Sequence, residues 1–172
     1  MSVTKKYVLD ANAFIQSKRR FYPFDVCPGY WDALKWHHGQ SNLCSIDRVK
    51  EELERGGDDL SEWVVKNLPE SFFASTGDAQ TVSWFSQIGT WVQAQTQFLP
   101  EAKGEFISGV DGWLIAYAKS TVHVLVTLEQ FDPLVRKRVP IPNVCQAFGI
   151  ECITTFDMLR GLGVRFTWTP PK

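Results

Sequence analysis

Residues Lys5–Gln16 read KKYVLDANAFIQ. A short apolar run, Tyr7-Val8-Leu9, stops at Asp10, and a run suited to a short helix, Ala13–Arg19, follows at once. Apolar character that is continuous rather than alternating marks a strand buried on both faces. Asp10 then stands at the carboxyl end of that strand, where parallel sheets gather their functional groups. An acid in this place also has a local use, because either Asp10 or Asn12 can cap the helix that follows.

Outward from this stretch the same alternation recurs. VHVLVT, Val122–Thr127, is the clearest strand, β-branched and almost uninterrupted. Phe72-Phe73-Ala74 and Ile150–Thr154 are shorter strand candidates. Between them the spacing of apolar residues predicts helices at Gly29–His38, from an N-cap at Ser45 through Glu54, and at Asp59–Asn67. Further helices are predicted at Asp78–Phe98, closed by Pro100, then at Ser108–Lys119 and Phe156–Leu162. FYPFDVCPG, Phe21–Gly29, is too rich in proline and aromatics for a helix and reads as a packed loop. Short buried strands alternating with helices predict an α/β fold, a three-layer αβα arrangement around a central parallel sheet. The whole chain, 1–172, is read as a single domain.

Bulk composition narrows the partners. Apolar residues make up 44% of the chain, enough for a core without disulfides. Cys27, Cys44, Cys145 and Cys152 form no CxxC pair and read as reduced, mostly buried thiols. A zinc site built from Cys27, Cys44, His37 and His38 is disfavoured, since adjacent helical residues diverge by about 100°. No apolar run is long enough to span a membrane, and the N-terminus has no apolar signal region, so a cytoplasmic protein is expected. A net charge of −1 creates no global field for a polyanion, but Lys18-Arg19-Arg20 and Arg136-Lys137-Arg138 are local basic clusters.

Three further acids stand in places comparable to Asp10. Asp111 lies in SGVD, which fits a capping box with Ser108 at the N-cap. Glu129 follows VHVLVT by two residues and also suits a turn. Within VKEELE, the residues Ile46, Val49 and Leu53 form one buried stripe. Glu51 falls opposite that stripe, while Glu52 and Glu54 flank it, and helical geometry does not separate those two.

In this order, YVLDANAFI, VKEEL, GVDGWLIAYA and LVTLEQF resemble the four acidic motifs of the PIN-domain nucleases. The resemblance spans residues 6 to about 155 and implies that Asp10, Glu52, Asp111 and Glu129 are the catalytic and metal-binding acids; it selects Glu52 over Glu54. FYPFDVCPGYWDAL and IPNVCQAFGI further resemble a longer branch of the family, grouped with bacterial toxin–antitoxin PIN proteins of the VapC type. Two departures stand out. The fourth acid is Glu129 where the family usually has Asp, and Asp132 lies three residues on as an alternative. Residues 57–105 are also longer than in compact members, which implies a helical insertion or lobe.

Clustered carboxylates repel one another and raise each other's pKa values, a cost that divalent cations reverse. Hard oxygen ligands favour Mg²⁺ or Mn²⁺. Asn12 and Thr127 are candidates to hydrogen-bond a carboxylate or a ligated water. Arg19, Arg20, Arg136, Lys137 and Arg138 are candidate RNA phosphate contacts, with Phe21 or Tyr22 available to stack a base.

The resulting expectation is a Mg²⁺- or Mn²⁺-dependent ribonuclease, the toxin of a toxin–antitoxin pair held by a cognate antitoxin. Two other readings are a PIN-like RNA-binding or assembly module without activity, and a haloacid-dehalogenase-like phosphatase. The latter wants a second Asp where this chain has Asn12. The Asp78–Phe98 helix carries Trp84, Phe85, Ile88, Trp91 and Val92, with Val82 close by, an apolar face broad enough to suggest a homodimer through 57–105. Its alternative is a helix sandwiched inside one chain.

Overall fold

Strand β1, Tyr7–Leu9, forms where the opening stretch places it. The computed structural model describes residues 4–172. It adds β2 at Leu43–Ile46, β3 at Phe73–Ala74, β4 at Val124–Val126 and β5 at Cys152–Ile153. The sheet has five strands in the order β3-β2-β1-β4-β5, and every pairing is parallel. Tyr7 aligns with Leu43 on one side and with Val124 on the other. All residues of β1 and β4 are buried, the burial expected of a parallel sheet covered by helices on both faces. The fold is therefore the α/β, three-layer arrangement read from the strand pattern.

The strand order sets the position of the site. From central β1 the chain builds β2 and β3 to one side, then crosses back to lay β4 and β5 on the other. The connections leaving β1 and β4 thus diverge, and a crevice opens beyond their carboxyl ends. Asp10 extends β1 into that crevice, its N–H donating to the Val126 carbonyl at 3.0 Å.

The helices are α1 (Asn12–Gln16), α2 (Pro28–Gly39), α3 (Asp47–Arg55), α4 (Asp59–Asn67) and α5 (Ala79–Ala94). They continue with α6 (Pro100–Ser108), α7 (Asp111–Thr121), α8 (Ile141–Phe148) and α9 (Thr155–Gly161). After α1 the chain widens into a single π-helical turn, Ser17–Phe21, rather than remaining α-helical to Arg19. Among the described residues no helix is long and apolar enough to cross a membrane.

Several local expectations are corrected. Ser45 is not an N-cap; it lies in β2, and its hydroxyl donates to the Leu9 carbonyl at 2.6 Å. Asp78 is the N-cap of α5, accepting from the backbone N–H groups of Gln80 and Thr81. That helix ends at Ala94, and Pro100 opens α6 instead of merely closing α5. Proline suits a first helical turn because its missing N–H would have no intrahelical partner there. Val122 is not in a strand; it closes α7 in the left-handed region at φ 58° and is exposed.

Most of the broad apolar face of α5 packs within the chain, although Val82 is exposed. Ile88 and Val92 are fully buried. Phe85 stacks on Trp113 of α7 with ring centroids 3.8 Å apart, and Trp84 and Trp91 both meet Phe148 of α8 edge-on. Residues 57–105 contribute α4, the edge strand β3 and α5 to the same layered domain.

Candidate functional site

Asp10 is 4% exposed, and its carboxylate accepts a 2.8 Å hydrogen bond from the Thr127 hydroxyl at the end of β4. Burial is the main cause that pushes Asp10 up to about 6; the Thr127 hydroxyl opposes the rise, while the charges of Glu129 and Glu52 add to it. Asp111 is pushed up to about 8, first by burial and then by the negative charges of Asp10, Glu129 and Glu52. The Asp10 charge is thus one of those that hold Asp111 toward its protonated form. Burial also moves Glu52 upward, although its helix face remains open to solvent and Arg55 pulls it down. Asp10, Glu52, Asp111 and Glu129 therefore share one electrostatic neighbourhood, although they come from β1, α3, α7 and the segment after β4.

Local structure explains why Asp111 is free to act there. The expected capping box does not form. Ser108 is the last residue of α6, and its hydroxyl bonds back to the Gly104 and Glu105 carbonyls. Val110 occupies the N-cap of α7 with no side-chain cap, so Asp111 enters the first turn with its carboxylate unused for capping. Glu54, which helical geometry could not separate from Glu52, pairs with Lys50 at 3.5 Å.

Glu129 and Asp132 have different roles. Glu129 Oε2 accepts from the Ile141 N–H at 2.8 Å, at the start of α8, and Oε1 faces the Arg138 guanidinium at 3.7 Å. Its backbone N–H donates to Thr127 Oγ1 at 3.2 Å. Asp132 caps its own turn through the Leu134 N–H and is locked to Asn143 by two further bonds. Glu129, not Asp132, is the acid whose charge acts on Asp10 and Asp111.

Two clefts meet at Glu129 and Arg138. One, of about 450 Å³, is lined by Asn12, Gln16, Arg20 and Phe21 besides those two. The other, of about 120 Å³, is lined by Asp111, Glu105 and Phe106 besides them. The five basic candidates therefore divide: Arg20 and Arg138 line a cleft, whereas Arg19, Arg136 and Lys137 are exposed and line neither. Phe21 is 43% exposed at the cleft, whereas Tyr22 is half-buried, stacked on Tyr30 at 4.3 Å, and does not line it. Glu105 lies on α6, a helix outside those predicted from the apolar spacing; Pro100 followed by EAKGEF is the sequence signal for it. A larger cleft, about 600 Å³, lies by Lys5, Tyr7 and Asn42 at the opposite, amino-terminal edge of the strands. The diverging connections that make a crevice are at the other edge, so volume does not decide the site.

The donor set is compatible with a hard divalent cation. Among the described residues, no three Asp, Glu, His or Cys side chains stand ready to hold one ion together. Mg²⁺, however, keeps several waters and often takes only one or two carboxylates. Asp10 and Asp111, both held toward protonation by burial and by neighbouring negative charge, are the pair that a cation would relieve.

A family model described as a domain of unknown function, DUF4411, matches residues 7–166. No curated protein matches the chain.

Proposed function

The chain belongs to the DUF4411 family, and from its site we propose that it is a divalent-cation-dependent endoribonuclease hydrolysing RNA phosphodiester bonds. The observation that carries this reading is the convergence of buried Asp10 and half-buried Asp111, from separate elements, at the crevice between β1 and β4.

Asp10 and Asp111 would hold Mg²⁺ or Mn²⁺, with Glu52 contributing from α3. Such a cation supplies activation of a water and stabilisation of charge on the phosphodiester. Thr127 orients Asp10 and favours its ionised form, so that the carboxylate is available near neutral pH. Asn12, at the start of α1, lines the cleft but has no hydrogen bond to any of the four acids. Arg20 and Arg138 attract the backbone phosphates, and Phe21 offers an aromatic face to an unpaired base. The resemblance to toxin-type PIN proteins extends the proposal to a protein antitoxin that covers the acidic crevice.

A second reading has an observation in its favour. Glu129, the fourth acid by the resemblance to PIN-domain nucleases, is already engaged by the Ile141 N–H and Arg138, as it would be in a PIN-like RNA-binding module without catalysis. The two readings separate in one assay, cleavage of a mixed RNA pool with Mn²⁺ or Mg²⁺ by wild type, Asp10→Asn and Asp111→Asn. A nuclease loses cleavage in both variants and in EDTA, while neither variant melts below wild type. Wild-type protein that binds the pool and never cuts it is the module.

A further inference from the structure

We propose that Arg138 is the phosphate-positioning residue of this site, held loosely by Glu129 until a polynucleotide takes its place. The inference rests on the ribonuclease reading and deepens it by naming the side chain that brings an anionic backbone to an acidic crevice. Asp111, Glu105 and Glu129 all line the smaller cleft, and a phosphodiester entering it meets negative charge. Arg138 is the one cationic side chain among the residues lining that cleft. It also lines the cleft of about 450 Å³, so it stands where a chain passing Arg20 and Phe21 would turn toward Asp111.

The contact with Glu129 suits a replaceable partner. At 3.7 Å the guanidinium is near enough for attraction but too far for a hydrogen bond. The Arg138 side chain is 55% exposed, whereas that of Glu129 is 19% exposed and fixed by the Ile141 N–H. The arginine can therefore move while the glutamate stays. Glu129 is in turn joined to Asp10 through Thr127, whose hydroxyl oxygen accepts from the Glu129 N–H and whose proton goes to Asp10. Arg138 is thus aligned on the same scaffold that carries the buried acid. Arg136 and Lys137, its sequence neighbours, line neither cleft.

The test uses the full chain and a short fluorescein-labelled single-stranded RNA of mixed sequence. Anisotropy in EDTA compares wild type, Arg138→Gln, Arg138→Lys and, as a charge control, Lys66→Gln on the exposed face of α4. Arg138→Gln is expected to weaken binding about tenfold and to lower the salt dependence by about one released ion. Arg138→Lys should recover part of the affinity, and Lys66→Gln should match wild type. With metal present, Arg138→Gln should raise KM while kcat changes by no more than about twofold. Equal binding by Arg138→Gln and wild type overturns the assignment, as does an equal loss in Lys66→Gln. In either case RNA binding by the wild type leaves the ribonuclease reading standing. Wild-type protein that neither binds nor cuts RNA overturns both.

Discussion

The Thr127 hydroxyl donates to the buried Asp10 carboxylate at 2.8 Å, across the paired strands β1 and β4. The residues are 117 positions apart in the chain, and the parallel pairing of β1 with β4 is what joins them. The bond favours the ionised form of Asp10 against the burial that disfavours it. Thr127→Val removes the donor while keeping the shape. Asp10 should then take up its proton more readily, and Mn²⁺ affinity at neutral pH should fall about tenfold, the usual effect of losing a hydrogen bond behind a metal ligand. Thr127→Ser should restore it. Calorimetric titration of the three proteins checks this, and unchanged affinity in Thr127→Val removes the hydroxyl from the site's design.

Asp111 makes the metal-free protein sensitive to pH in an unusual direction. A carboxyl pushed up to about 8 holds its proton in the folded state long after the unfolded chain has released it. The stability that this proton contributes is fully present below the ordinary carboxylate pKa near 4, and it is lost as pH rises through about 8. Asp10 acts alike, its window closing near 6. Asp59, Asp78 and Asp157, all lowered by their hydrogen-bond or ion-pair partners, work the other way and matter only in acid. His37 and His123, both lowered by burial, also oppose Asp10 and Asp111, adding stability as pH rises toward the ordinary imidazole pKa near 6.5. In EDTA the melting temperature should therefore fall between about pH 6.5 and about pH 8, where Asp111 still titrates. Asp111→Asn should flatten most of that slope and melt higher than wild type at the alkaline end. Mn²⁺ should restore wild type there and leave Asp111→Asn unmoved. A wild-type profile already flat in EDTA contradicts the crowding of these acids.

Strand β1 and strand β4 were legible because their residues are continuously apolar, and the acids after them followed from the rule that parallel sheets place function at the carboxyl ends. What escaped was information held in tertiary contacts. Ser45 resembles an N-cap until the Leu9 carbonyl is there to accept its hydroxyl, and the two-sided burial of Leu43–Ile46 comes from neighbours distant in sequence. Pro100 reads equally as a stop and as a start. SGVD offers a capping box, and only the run of α6 through Ser108 removes it. Which of three consecutive basic residues lines the clefts was beyond composition as well. The loop carrying them is pinned from outside by Leu99, whose N–H donates to the Arg136 carbonyl at 2.9 Å. Gln97 adds two bonds to the carbonyls of Pro133 and Val135.

The packing of α5 against α7 and α8 changes what a charge at Trp91 should do. Trp91 is half-buried against Phe148, and the adjacent Val92 is fully buried. Trp91→Glu places a carboxylate in that contact and should cost about 2 kcal/mol or more, lowering the melting temperature by several degrees for a domain of this size. The variant should elute from size exclusion as wild type does until it unfolds. A variant with unchanged melting temperature and a smaller apparent mass would return the face of α5 to a subunit interface.

Glu129 separates a structural acid from a ligating one. Its carboxylate accepts the Ile141 N–H at the first turn of α8, where Pro142 follows and has no N–H to offer. A negative charge there also favours the helix dipole. Glu129→Gln keeps an oxygen for Ile141 and loses the charge; Glu129→Ala loses both. If capping is its main role, Ala should destabilise by about 1 kcal/mol and Gln by clearly less. Gln should also lower the proton affinity of Asp111 by removing one of the charges that raises it, so Asp111 should ionise at a lower pH. The metal titration then discriminates. Retained Mn²⁺ affinity in Glu129→Gln assigns ligation to Asp10 and Asp111 with Glu129 as scaffold, whereas a loss as deep as that of Asp111→Asn makes Glu129 a ligand that must release Ile141 to bind.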